Sequence, residues 1–239
     1  MKHPLRLALA LGALVLLTLT ALPFWQALQG KPQAASPAAE MGLPWQTRVG
    51  EDGSLQVFGL AVGRTRLAEA QDVLGDSLQV ALVARVGEVG ALEALADPFR
   101  AGFVSGRLVL AFEVPPAQLL RWREGAPRSV AMEGGVRRFE LLPADREQAR
   151  SALLSGLSFV PTARLSQEDV QLRFGMPARV LDPPGGGRAL LYPERGLVAS
   201  VAPDRKSVLQ YVAPGDFEAR LAAPLVAAAA ASGAASAGR

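Results

Sequence analysis

The chain has 239 residues and a net charge of +3, from 25 Lys and Arg against 22 Asp and Glu. Lys2, Arg6, Lys31 and the acid Glu40 all precede residue 41, so the remainder holds 22 basic and 21 acidic residues, a balance of +1 with no basic cluster, which argues against a nucleic-acid partner. No cysteine is present and the sole histidine is His3, which excludes disulfides, thiolate metal sites, a cysteine nucleophile and, beyond the N-terminus, imidazole chemistry.

Residues 1–6 carry the charges Lys2 and Arg6 and precede an uncharged, Leu- and Ala-rich stretch of 19 residues, Leu7 to Trp25. As a helix it spans about 28 Å, close to the thickness of a bilayer core. The preceding charges predict a cytoplasmic N-terminus, and Phe24 and Trp25 suit the far interface. A cleaved signal peptide and a buried core helix are the alternatives. The signal peptide fits less well because the apolar run is long and Pro23-Phe24-Trp25 offers no clean cleavage site. Residues 26–42 form a spacer containing Pro32 and Pro37. The expected placement is a bacterial inner membrane, crossed once, with the C-terminal bulk in the periplasm.

A first α+β unit is expected over 43–114. Ser54 to Phe58 alternates as a strand, and Thr65 caps a helix through Leu67, Ala70, Val73 and Leu74 that Gly75 ends. Strands are predicted at Leu78–Ala84, Ala91–Leu95 and Arg107–Phe112. A connecting segment over 115–156 holds a short helix from Pro115-Pro116 to Trp122, a strand at Val136–Leu142 and a helix at Ala144–Leu154. The second unit covers 157–221. Ser166-Gln167-Glu168-Asp169 is a capping-box variant, Val170 and Phe174 share a helix face, and Gly175 closes it. Strands follow at Ala178–Leu181, Ala189–Tyr192, Leu197–Val201 and Val208–Val212. Residues 222–239 are Ala-, Ser- and Gly-rich and are expected to be disordered. The shared order of capped helix, glycine and meander suggests a divergent duplication. The fold class expected is α+β, an N-terminal transmembrane helix followed by two small units of short helices packed on antiparallel sheet.

Ser166-Gln167-Glu168-Asp169-Val170, with Phe174-Gly175-Met176-Pro177, resembles the Thr/Ser-x-x-x-Val and Leu-Gly-x-Pro signature of the small envelope proteins called BamE, or SmpA/OmlA. The resemblance implies short helices on a three-stranded antiparallel sheet, and the tandem arrangement is similar to that of β-lactamase inhibitory protein. The family's capping hydroxyl falls on Ser166, its core position on Val170, its helix-ending glycine on Gly175 and its proline on Pro177. The first unit departs from the pattern, with Asp76-Ser77 after its glycine and the smaller Ala70 in the helix core. The cysteine that carries the lipid in the envelope lipoproteins is missing too.

Gly185-Gly186-Gly187-Arg188 lacks the Gly-Lys-Ser/Thr of a phosphate loop and leads toward a strand, so a turn is favoured over an anion site. Glu93, Asp182 and Glu194 are the carboxylates available to a paired-carboxylate hydrolase, though no spacing selects a pair. Ser155-Gly156 and Ser105-Gly106 would need Lys206 as their base, and turn roles are favoured. Tyr211 is expected in the core and Trp122 at a core edge or an interface, with Trp45 divided between the two. No residue is assigned as catalytic, cofactor-binding or metal-ligating, and no cofactor is expected. The function expected is that of a non-enzymatic, membrane-tethered envelope scaffold that binds an envelope protein. The alternatives are a carboxylate-dependent hydrolase of envelope glycans and a lipid- or hydrophobe-binding module.

Overall fold

Alternating side chains along the strands set the architecture, because each strand has one face that must leave water. In the computed structural model, residues 42–75, 78–184 and 186–237 are described. A small sheet comes first, with β1 (Arg48–Val49), β2 (Leu55–Val57) and β3 (Leu60–Val62). Then follow helix α1 (Leu67–Leu74) and the long strands β4 (Gln79–Arg85), β5 (Ala91–Ala101) and β6 (Val104–Glu113). Helix α2 (Pro116–Glu124), β7 (Ser129–Ala131), β8 (Val136–Phe139), helix α3 (Pro143–Ala149) and β9 (Leu153–Pro161) make the middle. Helix α4 (Gln167–Phe174) precedes β10 (Arg179–Leu181), β11 (Arg188–Tyr192), β12 (Leu197–Val201) and β13 (Val208–Tyr211), and helix α5 (Ala223–Ala237) ends the described chain.

Ten of these strands form one antiparallel sheet in the order β10-β11-β12-β13-β9-β6-β5-β4-β8-β7. The meander after α1 and the meander after α4 meet on either side of β9, so the strands expected in two separate small sheets are continuous. β9 itself is a correction. The sequence predicts helix to Leu154, but α3 stops at Ala149 and Leu153 already pairs with Glu113. The strand's buried residues Leu157 and Phe159 lie between two partner strands, β6 and β13, and that pairing outweighs the local helical pattern.

One face of the sheet carries the main core. Helices α1 to α4 bury Leu67, Ala70, Leu119, Trp122, Ala149, Val170 and Phe174 on it, and the small sheet adds Leu55, Phe58 and Leu60. At its centre Phe58 meets Phe99 at 5.2 Å, Phe159 at 5.3 Å and Tyr211 at 6.2 Å between ring centroids. Phe58 is held at φ 54°, a costly backbone for a residue with a side chain, and burial of its ring in this cluster offsets the strain. The Tyr211 hydroxyl donates to the Pro44 carbonyl at 2.9 Å and ties the start of the fold to the sheet.

Helix α4 has the expected cap. The Asp169 N–H donates to Ser166 Oγ at 3.1 Å and the Ser166 N–H donates back to Asp169 Oδ2 at 3.0 Å. In α1 the cap is Arg66 rather than Thr65, whose hydroxyl instead accepts from the Ala61 N–H at 2.9 Å. Both helices end on a glycine in the same conformation, φ 79° and ψ −178° at Gly75, φ 85° and ψ −171° at Gly175. Open space surrounds the Cβ that a substitution would add at Gly175, so the cost there is backbone strain alone. Gly175→Val is expected to destabilise the protein by about 1–3 kcal/mol, read as a lower denaturation midpoint with an unchanged slope.

The opposite face is covered over only part of its width. Ala189, Leu191, Val198 and Val212 pack there under Phe217, Leu221 and Ala222, from the segment that runs through a π-helical turn at Glu218–Ala222 into α5. The tail predicted from 222 onward to lack order therefore begins with a fully buried alanine and continues as helix, because Phe217 and Leu221 anchor it. The anchor expected at 7–25 lies outside the described residues. Among the described residues no helix is long and apolar enough to cross a membrane. The transmembrane helix in the expected fold class, the membrane contact and the single-pass inner-membrane placement thus find no support in the structure and are set aside. What stands is an α+β fold with helices packed on a large antiparallel sheet.

Candidate functional site

Where the C-terminal segment ends its cover, the sheet face opens into a cleft of about 350 Å³. Its floor follows from strand register, since residues directly opposite one another share a face. Glu93 on β5 lies opposite Ala111 on β6, which lies opposite Gly156 on β9. One row along, Leu95, Val109, Ser158 and Gln210 line up across β5, β6, β9 and β13. Between Gly156 and Leu154 the pairing with β6 slips, leaving Ser155 as the extra residue of a β-bulge whose hydroxyl donates to the Ala111 carbonyl at 3.1 Å. Arg220 and Leu221 of the π-helical turn form one wall.

The electrostatics single out Glu93. It is half-buried, and its side chain has no hydrogen bond or ion pair with any described residue. Burial alone pushes its carboxyl above the ordinary value, because the charged form has lost water without gaining a partner. The hydroxyl of Ser158 and the amide of Gln210 are also without a protein partner among the described residues. The cation at the cleft wall is committed elsewhere, as Arg220 lies 3.6 Å from Glu113 and 3.5 Å from Asp216. Three unmatched polar groups thus face one cavity with apolar walls, the arrangement expected of a pre-formed ligand site.

A larger cleft of about 620 Å³ lies at the start of α4, between the β10–β11 and β12–β13 turns, and its polar groups are already matched to one another. Arg188 donates to Gln167 Oε1 at 2.8 Å and approaches Asp182 at 3.7 Å, while Arg164 donates to the Pro203 carbonyl at 3.2 Å. The Ser166 N–H, the Ser166 hydroxyl and Arg173 hold Asp169 below its ordinary value, and Glu168 is lowered by its own N–H and by Ser166. An anion arriving there would meet two ionised carboxylates at a helix end that is already capped.

Set beside family models, curated proteins and solved structures, the chain matches none of them. The resemblance to the BamE family is therefore corrected. Ser166, Val170 and Gly175 do cap, bury and end α4, but any short helix turning into a strand needs those three parts. The envelope-scaffold function, which rested on that resemblance and on the anchor, falls with them.

The three candidate carboxylates are not brought together. Asp182 follows edge strand β10, six strands from β5 in the sheet order, and Glu194 lies in the Pro193–Arg195 turn that joins β11 to β12, four to five strands from β5. At about 4.8 Å per strand both lie about 19 Å or more along the sheet from β5, far beyond a hydrolytic pair. Gly186 and Gly187 sit in the turn that enters β11, and Gly185 lies outside the described residues. Ser105 Oγ is 3.4 Å from Thr162 Oγ1. Trp122 and Tyr211 are core residues, and Trp45 is half-buried with Arg173 5.1 Å over its ring and Phe103 6.0 Å away. Sequence reasoning missed Ser158, Gln210 and Arg220. The one local signal was polar residues alternating with buried ones along β9 and β13.

Proposed function

We propose that the chain is a binding module whose open sheet face accepts an organic cation, a primary amine or guanidinium on an apolar body. The observation that carries this reading is Glu93, a partly desolvated carboxylate without an ion pair among the described residues, set in a cleft whose apolar lining includes Val109, Ala111, Val212 and Leu221. An ammonium group beside it restores the charged form and satisfies its lone pairs, which water no longer does fully. Ser158 and Gln210 supply further hydrogen bonds to a polar group along the ligand, and the aliphatic walls take its methylenes.

Calorimetric titration of the full-length chain with hexylamine and with hexanol tests this directly, because the two probes differ in charge and hardly in apolar area. The amine is expected to bind at least about tenfold more tightly at neutral pH, the difference a charge-assisted hydrogen bond makes. Equal affinities, or no binding of the amine, would overturn the reading.

A further inference from the structure

We infer that the free edge of the large sheet at β7 takes up an extended segment of a partner protein as an added strand, one in which acidic residues alternate with apolar ones. The inference is independent of the cleft at Glu93. β7 ends the sheet and pairs with β8 in the register Ser129↔Phe139, Val130↔Arg138 and Ala131↔Arg137. Just outside that run the Met132 N–H donates to the Val136 carbonyl and the Glu140 N–H donates to the Arg128 carbonyl. Hydrogen-bonded pairs alternate along an antiparallel ladder, so Arg128, Val130 and Met132 turn their backbone groups toward β8. Ser129 and Ala131 turn theirs outward, and no described residue meets those N–H and carbonyl groups. The opposite edge, β10, is tied to the C-terminal segment, with Arg179 3.0 Å from Glu218 and Leu181 packed in the cluster of Phe217 and Leu221.

The side chains select the partner. Arg128, Arg137 and Arg138 all lie on this hairpin, and none is ion-paired with a described side chain. Glu140, at the end of β8, lies 3.8 Å from Arg146 instead. Arg137 leans across β7, its guanidinium 2.7 Å from the Ser129 hydroxyl, and Ala131 directly opposite is too small to block the way. A carboxylate on that face of an added strand comes within reach of the guanidinium. On the other face Val130 and Met132 are 47% and 51% exposed and have room for an apolar neighbour. An open edge invites pairing with any strand, and like charge is one way to refuse the wrong one. A second copy of this chain would bring its own arginines against these, whereas an acidic strand gains backbone hydrogen bonds and charge pairing together.

The test adds short end-blocked peptides of alternating valine and glutamate to the full-length chain, with alternating valine and lysine as the control, and reads affinity and amide hydrogen exchange by NMR. In the free chain the Ser129 and Ala131 amides should exchange quickly and the Met132 amide slowly. The glutamate peptide should slow exchange at Ser129 and Ala131, and bind at least about tenfold more tightly than the lysine peptide at low salt. Arg137→Gln should weaken the glutamate peptide about two- to fivefold. Ala131→Pro removes an outward N–H without taking a bond from β8, and should weaken it about fivefold or more. If the proline disturbs the hairpin, seen as fast exchange at Met132, the exchange pattern of the parent chain and Arg137→Gln decide. Slow exchange at Ser129 and Ala131 in the free chain would mean that the edge is already covered, and overturns the inference. Equal binding of the two peptides removes the acidic partner. Binding that leaves those two amides fast, or that survives Ala131→Pro with the hairpin intact, removes strand addition. An oligonucleotide of equal charge that binds more tightly than the glutamate peptide would make this a nucleic-acid surface instead.

Discussion

Phe159→Ala is expected to lower the unfolding free energy by about 3–5 kcal/mol, the cost of removing a large aromatic side chain from a core that cannot fully collapse. Phe159 is fully buried on β9, the strand that joins the two meanders, and its ring lies 5.3 Å from Phe58 and 5.9 Å from Phe99. Those neighbours come from the small sheet and from β5, so the cavity would open between three parts of the fold at once. Little can move in to fill it, because Phe58 is fixed by its backbone at φ 54° and Leu108 and Leu209 flank the position across the sheet. Chemical denaturation should show a single transition at a lower midpoint. An unfolding free energy within about 1 kcal/mol of the parent's would mean that β9 is not the joint between the two halves.

Glu93→Gln is expected to weaken amine binding by about ten- to a hundredfold, the worth of a hydrogen bond to a charged group whose partner is left unmatched. The same substitution should leave the free protein as stable or more stable at neutral pH, by up to about 1 kcal/mol given the water that still reaches this half-buried group. The sign follows from protonation. Burial raises the Glu93 carboxyl in the folded state, so the fold holds that proton more tightly than the unfolded chain does. Stability should then fall as pH rises from the ordinary glutamate range through the raised value, and level off above it. Glutamine removes that decline. Loss of affinity with no loss of stability separates a binding residue from a structural one.

Much of the fold could be read from local pattern where a helix or strand carries its own start and stop. Ser166 with Asp169 and Gly175 defines α4 to within a residue, and β12 stands out as a short apolar run between turns. β9 could not be read this way. Leu153 and Leu154 extend the apolar face of α3, and Ser155-Gly156 looks like a turn, whereas Ser155 is a bulge within a continuing strand. Its strand character comes from β6 and β13, partners about fifty residues away on either side along the chain. The small sheet was half legible for a related reason. Ser54 to Phe58 alternates, but the turn at Phe58-Gly59 depends on packing of the Phe58 ring against residues far along the chain.

The candidate site was less legible still. Glu93 could be named as a carboxylate but not preferred over Asp182 or Glu194, since its character depends on which sheet face the C-terminal segment leaves open. Ser158 and Gln210 reach the same cleft only through the pairing of β13 with β9. Arg220 arrives on a stretch of the second unit, beyond Val212, for which no element was predicted, and Phe217 and Leu221 hold it there.

The most direct measurement is the titration of the Glu93 carboxyl carbon by NMR, in the free protein and again in the presence of saturating hexylamine. In the free protein Glu93 should titrate above the ordinary glutamate range, and on saturation its midpoint should fall, because an ammonium group now favours the charged form. A Glu93 that titrates normally when free, or whose midpoint does not move when the amine is added, would contradict a cation site on the open face of the sheet.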